Sequence, residues 1–248
     1  MRIGILEGDS FSNCALEQIA GIGLVEKFDG VSLKSFLADK EILFVRLGYM
    51  IDSAFLNKAS RLKVLCSPTT GHNHIDEKVL SDRNIGLISL RGESAFLEGI
   101  RATPEHTLGL ILALLRNYRV AFLDTGNRHW DRDRCRGEEL FGMKVGIIGL
   151  GRVGMILANY LYALGAKVRY IDIRSDFTHS NFKRYNSLAK LISSSELVTM
   201  CAAHVEELSP IMDQEHIKLL RGKYFVNTAR GELVDEVALL DLVCEDGL

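Results

Sequence analysis

The sequence predicts an α/β protein made of two parallel-sheet units. Three observations carry that reading. Short apolar runs alternate with segments of helical period along nearly all of its 248 residues, and such alternation puts helices on both faces of a parallel sheet. One of those runs, Val145 to Ile148, leads into Gly149-x-Gly151-x-x-Gly154 and then into a helical pattern. The bulk composition, 47% apolar and 25% charged, is that of an ordinary globular chain large enough for one big or two small domains.

In the first unit, residues 1–97, strands are expected at Arg2 to Leu6, Ile42 to Arg46, Val64 to Cys66 and Ile85 to Ile88. Helices are expected near Ser12 to Ala20, Leu33 to Ala38, Ser53 to Ala59 and Asp76 to Asp82. No glycine motif occurs here, so this half is not a second dinucleotide site.

The second unit, residues 98–248, opens with Thr103-Pro104-Glu105-His106 and a long apolar segment to Arg116. Thr103 is a plausible N-cap, Pro104 suits the first helical position, and Glu105 favours the helix dipole. The segment is apolar nearly all round, which predicts a helix buried on both sides. Residues 117 to 141 are polar and irregular, and read as a solvated arm. Trp130, the only tryptophan, stands inside that arm and hints at a partner surface.

The glycine run then gives the chain its chemistry. Gly149 permits the tight turn, Gly151 lets the backbone approach a pyrophosphate, and Gly154 lets the helix pack against the sheet. The helix N-terminus offers free N–H groups and a partial positive charge to phosphates. Apolar residues at Val153, Ile156, Leu157, Tyr160, Leu161 and Leu164 form one helical face. The next apolar run, Ala166 to Ile171, ends in Asp172, an acid about 20 residues on that suits the adenosine ribose hydroxyls. Its charge repels a 2′-phosphate, so NAD is favoured; Arg174 keeps NADP open. Further on come a helix near Leu188 to Ile192, a strand Leu197 to Cys201, a helix Asp213 to Leu220, a strand Tyr224 to Thr228 and a helix from about Asp235.

Several classes are disfavoured. Net charge is −2, with no basic stripe for nucleic acid or an anionic membrane. No apolar run nears the ~20 residues of a bilayer span. The start, Met1 to Leu6, is too soon interrupted by charge to be a signal peptide. Five scattered cysteines without C-x-x-C fit a reducing, cytoplasmic compartment. His72 and His74 have no third ligand at a suitable spacing, so no metal is expected.

Four segments, in order, carry a resemblance. They are Thr70-Gly71-His72-Asn73-His74-Ile75-Asp76, Ala102 to Leu110, Val145 to Gly154, and Asn227-Thr228-Ala229-Arg230-Gly231 through Val234-Asp235-Glu236. Together they resemble the D-isomer-specific 2-hydroxyacid dehydrogenases, the family of phosphoglycerate, glycerate and D-lactate dehydrogenases. The resemblance implies two Rossmann-like or flavodoxin-like domains, a substrate-binding one followed by an NAD-binding one. It implies hydride transfer between the nicotinamide and carbon 2 of a small 2-hydroxy or 2-oxo acid, and a homodimer. Arg230 is implied as the catalytic clamp on the substrate, whose donor fork suits a carboxylate and a polarised carbonyl. Thr70 and Gly71 are implied to contact the substrate carboxylate. Thr107, Gly149, Gly151, Arg152, Val153, Gly154, Asp172, Cys201, Ala202, Thr228, Ala229 and Arg230 are implied to line the cofactor.

Two departures from the family pattern stand out. Cys201-Ala202-Ala203-His204 replaces the family's His-x-Pro after its strand. The family's catalytic glutamate and histidine follow its arginine at greater distance than this sequence runs past Arg230. The second unit is therefore expected to be incomplete at its C-terminus. Glu215, His204 and His216 precede Arg230 and do not fit those roles. The competing expectation is a non-catalytic NAD-binding or interaction protein that lacks the acid pair.

Overall fold

The computed structural model describes residues 1–174, 179–203 and 210–246. The chain divides into two compact units, Met1–Leu97 and Glu98–Leu248.

In the first unit the elements run β1 (Arg2–Ile5), α1 (Asn13–Ala20), β2 (Leu24–Lys27), α2 (Leu33–Leu37), β3 (Ile42–Phe44), α3 (Ser53–Leu56), β4 (Val64–Ser67), α4 (Glu77–Asp82), β5 (Gly86–Ser89) and α5 (Ser94–Glu98). The sheet has the order β2-β1-β3-β4-β5, and every pairing is parallel. Local sequence starts the helices: Ser12, Ser32, Asp52 and Asp76 each accept a backbone N–H as N-caps, which satisfies one of the orphan donors of a first turn. Ile5, Leu37, Leu43, Ile51 and Leu65 are fully buried. These apolar residues of strands, helix and loop supply the hydrophobic drive of this unit.

The second unit contains α6 (Ala102–Leu115), α7 (Tyr118–Gly126), β6 (Lys144–Ile148), α8 (Arg152–Ala163), β7 (Lys167–Ile171), β8 (Lys183–Arg184), α9 (Leu188–Ser194), β9 (Leu197–Met200), α10 (Gln214–Lys218), β10 (Tyr224–Asn227) and α11 (Glu236–Asp246). Its sheet order is β10-β9-β6-β7-β8, again with parallel pairings throughout. The chain builds outward from β6 on one side and then crosses to β9 on the other. The switch point therefore lies between β6 and β9, where open α/β sheets bind ligands beyond their strand ends.

Several local expectations are corrected. Strand β2 is absent from the sequence reading because it lies at an edge, with Leu24 exposed and only Val25 half-buried, so it shows no apolar alternation. Residues 118–126, expected to be irregular, form α7. Asn117 at φ 53° makes the left-handed link from α6, and buried Asp124 pairs with Arg134 at 3.2 Å. The arm expected over 117–141 is thus partly helical. The cap of α6 is Arg101, with no side-chain hydrogen bond, and Pro104 lies within its first turn, in place of the Thr103 cap. The helix also buries one stripe and not two. Pro104, Thr107, Ile111 and Leu115 are buried, while Leu110 and Leu114 are 40% and 45% exposed. Residues spaced by three and four face one side of a helix, and only that side meets its own sheet.

Candidate dinucleotide site

The glycine turn adopts the geometry its chemistry requires. Gly149 sits at φ 88°, and a Cβ there would lie 2.5 Å from the Ala202 Cα. That backbone conformation and that closeness both demand glycine. A Cβ on Gly154 would lie 2.1 Å from the Gly149 carbonyl oxygen, so the absent side chain lets α8 seat against the turn. Among the described residues beyond its chain neighbours, a Cβ on Gly151 would meet nothing within 4 Å, so the described part of the turn leaves space there. Gly151 is also the N-cap of α8 and offers no side-chain cap. The first-turn N–H groups of this helix are left for an incoming anion.

Strand order brings the other expected residues to the same sheet edge. Cys201 donates its N–H to the Ile148 carbonyl, and Gly149 donates to Ile171. The ends of β9, β6 and β7 are thereby tied together. Asp172 follows β7, and its Oδ2 accepts the Leu150 N–H at 2.8 Å. Its side chain is 6% exposed, and the Arg174 guanidinium lies at 2.9 Å. The hydrogen bonds from Arg174 hold the Asp172 carboxyl down at about 2 against the opposing effect of burial, with help from the Leu150 N–H. Because the folded value is depressed, the stabilisation is complete above the ordinary carboxylate range and is lost as pH falls through about 2. The stability difference between the wild-type chain and Asp172→Asn is therefore expected to be constant from neutral pH to about 4 and to shrink below it. Denaturant melts at several acid pH values measure this, and a difference that stays flat below that range contradicts it.

At the end of β10, Asn227 organises the arginine segment. Its Oδ1 accepts the Ala229 N–H at 2.9 Å, and its Nδ2 donates to the Arg230 carbonyl at 2.8 Å. The sequence reading assigned Asn227 no role; its amide next to a turn was the available signal. Arg230 is half-buried, and its Nη1 donates to the Ala229 carbonyl at 2.7 Å. No carboxylate among the described residues pairs with it. Thr107 is fully buried and has no surface of its own to offer a ligand. Its hydroxyl donates to the Thr103 carbonyl at 2.8 Å and lies 2.7 Å from the Thr228 hydroxyl, so α6 braces the end of β10. Arg152 and Val153 begin α8, and Arg152 donates to the Ile100 carbonyl at 3.0 Å. Burial pushes the Cys201 thiol up to about 12, the behaviour of a core residue and not of a nucleophile. Ala202 packs under Gly149. His204 lies outside the described residues. His216 Nδ1 lies 2.8 Å from Asp213, the N-cap of α10.

In the first unit, Thr70 and Gly71 follow β4. Arg91 Nε donates to the Thr70 carbonyl at 3.3 Å, and the Arg91 Nη1 reaches Glu77 at 2.7 Å. His72, which is buried, has its Nδ1 2.9 Å from the same Glu77 oxygen. Among the described residues no group of three or more His, Cys, Asp or Glu could hold a metal ion.

A parallel sheet with a glycine turn at its switch point and an acid at the end of the neighbouring strand defines a dinucleotide-binding protein of the Rossmann class. The family model described as "D-isomer specific 2-hydroxyacid dehydrogenase, NAD binding domain" matches residues 108–248. The chain belongs to that family, and its second unit carries the NAD-binding domain. D-3-phosphoglycerate dehydrogenase of Methanocaldococcus jannaschii is 28% identical over 250 residues, covering 98% of this chain and 47% of that protein. Glyoxylate reductase of Thermofilum pendens is 30% identical over 217 residues, covering 84% of this chain and 62% of that protein. The chain thus spans about half the length of the first of these curated relatives. Among solved structures, D-lactate dehydrogenase from Aquifex aeolicus, complexed with NAD and lactic acid, superposes with a TM-score of 0.83 at 22% identity. That likeness covers 99% of this chain and 74% of that one, and it shows the expected two-sheet α/β fold.

Proposed function

We propose that this chain acts as an NAD-dependent oxidoreductase, moving a hydride between the nicotinamide and carbon 2 of a small 2-hydroxy or 2-oxo acid. The observation that carries the proposal is Arg230. It stands at the end of β10, on the same sheet edge as the glycine turn, with a guanidinium that no described carboxylate neutralises. A fork of donors held there suits an α-oxo acid, one arm orienting the carboxylate and another polarising the reacting carbonyl. Bound NAD supplies the hydride chemistry, and the residues around it supply orientation and charge. In this reading Gly149, Gly151 and Gly154 seat the pyrophosphate. Asp172 takes the ribose. Arg152, Val153, Cys201, Ala202, Thr228 and Ala229 line the cofactor, with Thr107 acting through Thr228. The family resemblance assigns Thr70 and Gly71 to the substrate carboxylate. No residue of this sequence is assigned as the proton donor: Glu215, His204 and His216 precede Arg230 in the chain, and His216 Nδ1 lies against Asp213. The test is NADH oxidation by the purified chain against a panel of 2-oxo acids. Turnover of at least one supports the reading. NADH binding without turnover across the panel favours a non-catalytic NAD-binding protein.

A homodimer is part of the same proposal. Leu110, Leu114, Phe122, Leu123 and Trp130 stand 40% to 87% exposed along α6, α7 and the following loop. Aromatic and aliphatic side chains gathered on one segment fit a second copy of the chain. Light scattering is expected to give twice the monomer mass, and Phe122→Asp with Trp130→Ala is expected to return it to monomer. A wild-type monomer at micromolar concentration contradicts this. A cytoplasmic location fits the five free cysteines, which suit a reducing compartment. No described helix is long and apolar enough to cross a membrane.

A further inference from the structure

The loop after β4 is held by its carbonyls. The Thr69 carbonyl accepts the Leu90 N–H at 3.2 Å, and the Thr70 carbonyl accepts the Arg91 Nε at 3.3 Å. Both donors belong to the chain just past β5. Each carbonyl shares a planar trans peptide with the N–H of the next residue, and in such a unit the two groups point opposite ways. The Thr70 and Gly71 N–H groups therefore turn away from the end of β5. Neither meets an acceptor among the described residues. Thr70 is exposed and Gly71 half-buried, so a ligand can reach them. Successive N–H groups turned to one side suit an anion.

The two holds differ in kind. The bond from Leu90 is backbone to backbone and survives any change of side chain. The bond from Arg91 depends on one guanidinium, and its neighbours aim it. The Arg91 N–H donates to the Ser89 Oγ at 3.2 Å, which bends the chain at the end of β5. The Arg91 Nη1 donates to Glu77 Oε1 at 2.7 Å, and His72 Nδ1 lies 2.9 Å from that same oxygen. An ionised carboxylate only accepts, so Nδ1 carries the ring proton. The His72 Nε2 is buried and has no partner among the described residues, so Glu77 is the anchor of that ring. A circuit closes: the loop at His72 grips Glu77 on α4, Glu77 grips Arg91, and Arg91 returns to the loop at Thr70.

We propose that Arg91 is a positioning residue for the substrate: by holding the Thr70 carbonyl it fixes the Thr70–Gly71 peptide, so that the Gly71 N–H is presented to the carboxylate of the 2-oxo acid. This rests on the reading that the loop at Thr70 and Gly71 takes that carboxylate. Arg91 itself acts through the peptide.

The test is titration of the NADH-saturated full chain with oxamate, a carboxylate-bearing mimic of a small 2-oxo acid, followed through the Thr70 and Gly71 amide signals by nuclear magnetic resonance. In the wild-type chain oxamate is expected to move both signals. Arg91→Met keeps an apolar stem and loses every donor. It is expected to weaken oxamate about tenfold, the size of one charge-assisted hydrogen bond, with the melting temperature and NADH affinity unchanged. Arg91→Lys keeps a cationic donor and is expected to restore part of the oxamate affinity. If oxamate moves the Gly71 signal in the wild type and Arg91→Met binds it equally well, the Arg91 proposal is overturned alone. A loss that comes with an equal loss of NADH affinity and a lower melting temperature also overturns it, because the role is then structural. If oxamate moves neither amide in the wild type, the carboxylate assignment falls and takes the Arg91 proposal with it.

Discussion

Arg230→Ala is expected to lower kcat/KM for the best 2-oxo acid by about 10²–10³-fold, the loss typical of removing a preorganised donor from a developing oxyanion. NADH affinity is expected to change far less, because in the proposed reading the guanidinium addresses the substrate. Arg230→Lys keeps the charge and loses the planar fork, so it is expected to recover only part of the activity. The Asn227 amide holds the backbone at Ala229 and Arg230, so neither variant should disturb the fold. Steady-state kinetics beside NADH titration decide the matter. An Arg230→Ala variant that keeps activity within about tenfold of wild type removes the arginine from the chemistry.

Gly154→Ala should act through structure. The added methyl would lie 2.1 Å from the Gly149 carbonyl oxygen, below the 3.0 Å that Cβ atoms essentially never breach. The obstacle is backbone, so no rotamer change relieves it, and α8 must move away from the turn. Overpacking of this kind costs about 1–3 kcal/mol, and a displaced turn also loses its alignment with the pyrophosphate. Gly151→Ala makes the informative contrast. Among the described residues its methyl meets no atom beyond its chain neighbours within 4 Å, so stability should hold while the methyl occupies the approach to the phosphates. Thermal melts and NADH titrations of both variants are expected to show lower stability with weaker binding for the first, and weaker binding alone for the second. Equal stabilities for wild type and Gly154→Ala would contradict the packing argument.

Where the physics is local, the sequence was readable. Apolar strands of the two sheets announce themselves because they are buried on both faces, and the helix starts at Asp76 and Asp213 carry their own caps. Elements whose stability comes from elsewhere were not readable. Strand β2 is held by pairing to β1, in register from Arg2 against Leu24 to Ile5 against Lys27, while its side chains look like a loop. Helix α7 has no apolar face to mark it, and its position follows from the left-handed turn at Asn117.

The family, the α/β class, the glycine turn and the acid that follows it are written in contiguous residues, because spacing along one strand-turn-helix unit is a local property. Arg230 likewise stands out by its immediate neighbours. Folding was needed to show that Thr107 is buried against Thr228, that the outer stripe of α6 is left exposed, and that Arg174 fills the acceptors of Asp172. These depend on distances between side chains brought together by strand order or by a bend at a strand end. Spacing names the groups that can meet; packing decides which of them do, and how many lone pairs are left for a ligand.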